Sequence, residues 1–458
     1  MTHYLNNDTI CAISTPQGTG GIAVVRVSGS ESLQAVARRW KGADLTDMPT
    51  HTAHLGKITF ADGQILDEVV LTVYRAPHSF TGEDVVEISC HGSVWIQQQL
   101  INTLIDAGCR LAMPGEFTRR AFANGHMDLS QAEAVADLIA SHSAASHRVA
   151  MNQMRGRFSG ELQQLRDQLL RFVSLIELEL DFSEEDVTFA DRGELTTLAT
   201  EIHSVVNRLA QSFHAGNAIK NGVPVAIVGA TNAGKSSLLN ALLGDERALV
   251  SDIHGTTRDV IEDTITIEGT LFRFIDTAGI RQSDDTIEQM GIERSYTKME
   301  QAQIVLWVVD NTAPVDTNQH YALLIESHCQ GKQLIAVFNK ADVAAAPKLT
   351  LPDGVRTISI SAHKEADVDR LRQLIVQVAA LPTVDDNAVI VTNARHYQAL
   401  MRADEAIGRV IDGLRQGLSG DLLSQDIREC LHHLGTITGQ ITTDAVLGEI
   451  FAHFCVGK

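Results

Sequence analysis

The chain has 458 residues, 44% hydrophobic and 21% charged, enough apolar side chains for about two or three domains with ordinary cores. Its net charge of −20 argues against a surface that grips bulk nucleic acid unaided, because neutralising phosphates needs Lys and Arg. The six cysteines (Cys11, Cys90, Cys109, Cys329, Cys430 and Cys455) form no C-x-x-C pair, no basic segment leads into an apolar run at the N-terminus, and no apolar stretch reaches membrane-spanning length, so zinc, disulfide, secretory and bilayer readings are set aside and the expected compartment is a reducing cytoplasm.

Residues 1–122 read as mixed strand and helix. Gly18, Gly20 and Gly21 precede an apolar, β-branched strand candidate at Ile22–Val27, and Ile65–Tyr74 and Asp84–Ser89 are further candidates. Val94–Gly108 carries Leu100, Leu104 and Ile105 on one helical face and ends at a glycine. Helical periodicity then dominates over Met127–Ser141, Phe158–Leu180 and Glu194–Phe213, with an acidic patch at Asp181, Glu184, Glu185 and Asp186.

From Gly222 the pattern changes. Val223–Val228, Leu271–Ile275, Ile304–Val309 and Leu334–Phe338 are short apolar runs of the kind found in buried parallel strands, separated by helical sequence. Beyond Leu381-Pro382 helices return at Tyr397–Leu414, Gly420–Leu434 and Thr442–Phe454. Helical sequence on both sides of an α/β segment reads as a nucleotide domain inserted into a helical one.

The α/β segment carries motifs in a fixed order. Gly229-Ala-Thr-Asn232-Ala233-Gly234-Lys235-Ser236 follows a strand and opens a helix at Ser237, the context a phosphate loop requires. Its glycines turn backbone N–H groups onto phosphate oxygens, Lys235 reaches the β- and γ-phosphates, and the Ser236 hydroxyl binds Mg²⁺. Gly255-Thr256-Thr257-Arg258-Asp259 supplies Thr257 as a second Mg²⁺ ligand. Asp276-Thr277-Ala278-Gly279 follows the next strand, with Asp276 on Mg²⁺ through water and the Gly279 N–H on the γ-phosphate. Asn339-Lys340-Ala341-Asp342 places a carboxylate against the N1–H and N2–H₂ donors of guanine, which adenine lacks, and lays the Lys340 stem along the base. A backbone N–H of Ser361-Ala362-His363-Lys364 meets guanine O6. Asp276-Thr277-Ala278-Gly279 alone would pass for a turn and Asn339-Lys340-Ala341-Asp342 alone for a polar loop; in register behind the phosphate loop they specify a GTP hydrolase.

The residue after Asp276-Thr277-Ala278-Gly279 is Ile280, where a Ras-type enzyme has the glutamine that orients water. Two residues suggest substitutes: Asn232, whose carbonyl suits a monovalent cation, and Glu288, which is placed to orient water.

These motifs, with Thr15–Gly21, Arg26, Thr81–Asp84, His91-Gly92, Pro114–Phe122 and the final Phe454-Cys455-Val456-Gly457-Lys458, resemble the MnmE (TrmE) family of bacterial tRNA-modification GTPases over essentially the whole chain. The resemblance implies an α/β and α multidomain fold: an N-terminal α+β tetrahydrofolate-binding and dimerisation domain (1–122), a helical domain (123–220 and 383–458) and an inserted Ras-like P-loop GTPase domain with a mainly parallel sheet (221–382). It implies a K⁺ ion held by Asn232, Ser251, Ile253 and Thr256 where an arginine finger would sit, a nucleotide-ordered segment with Asp252, His254 and Gly255, catalytic roles for Lys235, Arg258 and Glu288, and paired nucleotide domains in a homodimer that open and close with hydrolysis. It also implies a 5-formyl- or methylene-tetrahydrofolate contacted by Arg26, Glu87 and Lys458, with His126 where better-known members carry Lys, and possible functional importance for Cys455. The partners implied are tRNA, modified at carbon 5 of the wobble uridine with an aminomethyl or carboxymethylaminomethyl group, and the flavin-dependent MnmG (GidA); no membrane is involved.

Read without the resemblance, Arg26 is as well an ordinary strand-end residue, Cys455 a buried helix cysteine, and Arg119 and Arg120 either guides for an anion or surface ion pairs. A ribosome-assembly GTPase would add an RNA-binding domain, and a dynamin-like membrane GTPase an apolar or basic contact stretch; neither feature is seen in the sequence.

Overall fold

Alternating burial builds the first sheet: between Ile22 and Ser28, Ala23, Val25 and Val27 are buried while Ile22 is exposed, the period of two of a strand with one face on a core. The computed structural model describes residues 8–181, 192–244, 263–275, 299–329, 331–380, 388–452, 454 and 457. The chain divides into two compact units, one of residues 1–136, 153–190 and 418–458 and the other of 137–152 and 191–417.

The first unit holds β1 (Ile10–Ile13), β2 (Ile22–Ser28), β3 (Trp40–Lys41), β4 (Thr52–Thr59), β5 (Ile65–Tyr74), β6 (Val85–His91) and β7 (Arg110–Leu111), in the spatial order β3-β4-β5-β6-β2-β1-β7. Neighbours are antiparallel except β1 and β7. The helix Val94–Asp106 buries Leu100, Ile101 and Leu104 against Val25, Val27, Leu71 and Ile88. In the same unit the long helix Arg157–Asp181 packs on Gly420–Thr438 through the stripe Leu162, Leu165, Leu169, Phe172 and Ile176.

Arg120 departs from both sequence readings. It is 7% exposed and lies in an ion-pair network with Asp8, Glu83 and Glu116, which Arg110 also joins. The sheet also brings Cys11 beside Cys109, where the neighbouring thiol and then burial push the Cys11 thiol above its ordinary value. None of the described cysteines is in a disulfide.

The second unit holds β8 (Val223–Val228), β9 (Asp263–Ile267), β10 (Thr270–Phe274), β11 (Ile304–Asp310), β12 (Gln333–Asn339) and β13 (Arg356–Ser359), in the order β13-β12-β11-β8-β10-β9. All pairings are parallel except the β9–β10 hairpin. β11 is buried at every residue, as a strand covered on both faces must be. Helices Lys235–Leu243 and Glu365–Ala379 cover one face through Leu238, Leu239, Leu242, Leu371 and Ile375; Ala322 and Ile325 of Val315–His328 cover the other.

The same unit contains the chain leading into this sheet and the chain leaving it. The Ser212 hydroxyl accepts from the Val391 N–H at 3.0 Å, and a Cβ on Gly216 would collide with the Val391 carbonyl. Among the described residues no helix is long and apolar enough to cross a membrane, and no group of three or more His, Cys, Asp or Glu is placed to hold a metal ion.

Candidate nucleotide site

The strand order reverses at β8, with β11 on one side and β10 on the other, so a crevice opens outside the carboxyl ends of the strands, where α/β sheets take ligands. The loop after β8 fills that position. Gly229 has φ +146°, and a Cβ there would meet the Val308 carbonyl of β11. Asn232 and Gly234 are left-handed, at φ +62° and +94°. Those turns curl the backbone so that helix Lys235–Leu243 starts directly beneath it, pinned by the buried Leu238 and Leu239. The N-cap residue is Gly234, which has no side chain with which to cap the helix. Its first-turn N–H groups, with Lys235, Ser236 and Ser237, are suited to an anion. The Lys235 ammonium lies inside the curl, donating to the carbonyls of Gly229 (2.9 Å) and Ala230 (2.7 Å).

β12 ends at Asn339, which is 3% exposed. Its Nδ2 donates to the Ala233 carbonyl at 2.9 Å, and its Oδ1 accepts from the Ala362 N–H at 3.2 Å. One amide thus joins the loops after β8, β12 and β13. The next residue, Lys340, is left-handed at φ +61° and donates to Asp310 Oδ2 at 2.7 Å. The Ala341 N–H bonds the Ile360 carbonyl at 3.1 Å, and Asp342 is left exposed at the rim. The nearby Ser361 hydroxyl holds the Asp342 carboxyl below its ordinary value. Asp342 is therefore an anionic acceptor at neutral pH, exposed to solvent on the loop that Asn339 ties to the phosphate-type loop.

One expectation is modified. The Ser361 N–H donates to Asp367 Oδ2 at 2.9 Å and the Ala362 N–H to Asn339, so both have protein partners rather than standing open for guanine O6. Asp310 is the residue that sequence reasoning missed. Burial pushes its carboxyl up, but Lys340 and the Thr312 hydroxyl and amide outweigh that and hold it below its ordinary value. A lone acidic residue at a strand end gives no local signal; only the β11–β12 pairing, Asp310 opposite Asn339, reveals it.

Ser251, Asp252, Ile253, His254, Gly255, Thr256, Thr257, Arg258, Asp276, Thr277, Ala278, Gly279 and Glu288 lie outside the described residues, as do Cys455 and Lys458. Asn232 and Ser236 are thus the described members of the expected K⁺ and Mg²⁺ sets.

In the first unit Arg26 and Glu87 face each other across β2 and β6. Arg26 Nε and Nη2 both donate to Glu87 Oε1, at 2.9 and 2.7 Å, and the guanidinium lies 5.3 Å from the Phe80 ring centroid and 5.6 Å from that of Phe117. The Tyr74 hydroxyl donates to Glu87 Oε2 at 3.3 Å. Burial and the Glu87 charge raise the Tyr74 phenol above its ordinary value. The His126 ring occupies the space a Cβ on Gly82 would need, and Asn124 Nδ2 donates to the Thr81 carbonyl at 2.7 Å. Gly457 packs on Ile13 and Ser14, its carbonyl accepting from Ser14 Oγ at 3.1 Å, so the C-terminal tail reaches the end of β1.

Comparisons with known proteins bear on both units. A family model described as "GTP-binding protein TrmE N-terminus" matches residues 9–126, and one described as "MnmE helical domain" matches 129–455. Proteins named "tRNA modification GTPase MnmE" are similar along their full length. That of Parabacteroides distasonis is 56% identical over 98% of this chain and 100% of its own, and that of Bacteroides thetaiotaomicron 55% over 99% and 100%. Among solved structures, the G domain of the T. maritima FeoB iron transporter matches 34% of this chain and 98% of its own at 24% identity, with a TM-score of 0.26, too low to carry an argument. On the two matching family models and the full-length relatives, the chain belongs to the MnmE (TrmE) family.

Proposed function

We propose that this chain is a GTP hydrolase acting in tRNA modification. The observation that carries the reading is the single amide of Asn339, which locks a loop built for phosphates to a loop ending in an exposed, ionised carboxylate. A triphosphate on the Gly229–Ser236 backbone would put its purine edge at Asp342, and only guanine offers that carboxylate two donors.

Within this reading Lys235 exchanges its two carbonyl partners for β- and γ-phosphate oxygens, at small cost because both arrangements satisfy the ammonium. The hydroxyl of Ser236, in the first helical turn, is hard-donor chemistry suited to Mg²⁺, with Thr257 as its companion. Asn232, already turned left-handed at the loop's apex, fits a carbonyl ligand for K⁺, with Ser251, Ile253 and Thr256 completing the set. Both ions would neutralise charge on the transferring phosphoryl group. Glu288 orients water, Arg258 takes a catalytic role, and Asp276 holds Mg²⁺ through a water.

The first unit supplies a second proposed site, for a tetrahydrofolate derivative, made by Arg26, Glu87, His126 and Lys458. A fixed guanidinium–carboxylate pair beside Phe80 and Phe117 suits a ligand with a flat ring and amide-like edges. The folate would supply the one-carbon unit added at carbon 5 of the wobble uridine, in concert with the flavin-dependent MnmG. A homodimer, a three-part division at 1–122, 123–220 with 383–458, and 221–382, and opening and closing of the GTPase domains complete the reading.

The test is direct. Purified protein should hydrolyse GTP and not ATP, Lys235→Ala should abolish the activity, and tRNA from cells lacking the gene should lose a wobble-uridine modification that wild type restores and Lys235→Ala does not. Equal hydrolysis of ATP, or unchanged tRNA mass spectra, would overturn it.

A further inference from the structure

Asp310 sits at the end of β11 with its side chain 11% exposed, and its contacts leave its orientation no freedom. Oδ1 accepts from the Thr312 N–H (2.8 Å) and Thr312 Oγ (2.6 Å); Oδ2 accepts from the Lys340 ammonium (2.7 Å). Its main-chain carbonyl accepts from Asn318 Nδ2 at 3.0 Å. The adjacent Asn311 donates its N–H to the Asn339 carbonyl (3.3 Å) and its Nδ2 to the Ala344 carbonyl (3.1 Å). The tip of β11 therefore brackets the Asn339–Ala344 turn at both ends and holds the one long cation inside it.

A lysine stem has four rotatable bonds, and a left-handed backbone at Lys340 adds strain that surrounding structure must hold. Unless the ammonium is tethered, the stem has no reason to lie flat along a purine. We propose that Asp310 is a positioning residue for guanine recognition: its carboxylate anchors the Lys340 ammonium, so that the methylene stem forms a preformed wall of the base pocket next to Asp342. This rests on the reading of Asn339-Lys340-Ala341-Asp342 as the base-reading loop.

The sharp variant is Asp310→Asn. It keeps the shape and an Oδ1 acceptor for Thr312, but turns an NH₂ toward the Lys340 ammonium, donor against donor. In the full-length protein with Mg²⁺ and KCl, the KM for GTP should rise about tenfold while kcat stays within about twofold, the signature of lost binding shared by ground and transition states. Lys340→Met, which keeps most of the stem and removes the ammonium, should raise KM to a similar degree. The double variant should be no worse than either single one, because both delete the same bond. An unchanged KM in Asp310→Asn, or additive losses in the double variant, overturns the proposal. Should Asp310→Asn fail to fold, Lys340→Met reads the bond from its other end: a raised KM supports the proposal and an unchanged one overturns it. Asp342→Asn separates the underlying reading. If it does not shift preference toward xanthosine triphosphate, the base-reading assignment is at fault; if it does while KM is unmoved in Asp310→Asn, the anchor alone is refuted.

Discussion

Asn339 reaches from the end of one strand into the loop after another, its Nδ2 on the Ala233 carbonyl at 2.9 Å, so the phosphate-type loop and the base-type loop are held as one body. Both partners of the amide are buried: Ala233 is fully buried and Ala362 is 8% exposed. Asn339→Ala would strand a carbonyl and an N–H, costing about 1–3 kcal/mol apiece. The variant should melt several degrees lower without nucleotide and bind GDP at least about tenfold more weakly by calorimetry. A variant that keeps wild-type melting and affinity would show that the loops are held together by something else.

Gly234 makes the same contact from the other side. It sits at φ +94°, and a Cβ would run into Asn339 Nδ2. Gly234→Ala meets both left-handed strain and a clash with a side chain that cannot yield without losing its two bonds. GTP hydrolysis should fall by at least about a hundredfold with the far-ultraviolet circular dichroism unchanged, since the strain is local. Near-normal hydrolysis would mean the loop relaxes at little cost.

How far the sequence discloses this depends on range. The phosphate loop is legible because β8 spans Val223–Val228, the apolar run itself, and the glycines follow at once. The parallel strands are legible because burial on both faces leaves unbroken apolar runs. What stays hidden are partnerships between residues distant in sequence. Arg120 reads as a surface charge until Asp8 and Glu83 are brought to it, and Cys11 and Cys109 show no spacing signal because β1–β7 pairing makes them neighbours. Asp310 is invisible for the same reason. The pairing of Arg26 with Glu87 is a matter of strand register, which no local pattern encodes.

Asp342 is exposed and ionised, and the base-reading role assigned to it predicts a change of substrate rather than simple loss. Asp342→Asn replaces an acceptor pair with one acceptor and one donor. Xanthine, with a carbonyl where guanine has its amino group, complements that edge. The variant should lose GTP affinity and gain affinity for xanthosine triphosphate, measured by competition; unchanged GTP binding would remove Asp342 from the base pocket.

The K⁺ proposal makes a salt-identity prediction. At equal ionic strength, hydrolysis should be much faster in KCl than in NaCl, and Asn232→Ala should erase the difference while leaving the slow NaCl rate. Screening by salt is the same for both cations, so a difference between them reports a specific site. Equal rates in the two salts would refute the cation mechanism and return attention to Glu288 and Arg258.

The buried network of the first unit sets its response to acid. Glu116 has a side chain 2% exposed, yet its carboxyl lies below its ordinary value: burial pushes it up, but Arg110, the Met113 N–H and Arg120 outweigh that. Asp8 behaves alike, burial being outweighed by Arg110 and Arg120. Because these folded-state values lie below the unfolded ones of 4.5 and 3.8, the stabilisation is full above those pH values and is lost as pH falls through the depressed values. Wild type should therefore hold a flat denaturant midpoint from neutral pH down to about pH 5 and lose stability steeply below it. Glu116→Gln removes one of the two carboxylates that Arg110 and Arg120 share, Asp8 being the other, and should cost about 1–3 kcal/mol at neutral pH, while its profile below pH 5 should be shallower because one titrating group is gone. Parallel acid limbs in the two proteins would show that Glu116 does not titrate in this transition and that the acid response comes from Asp8 instead.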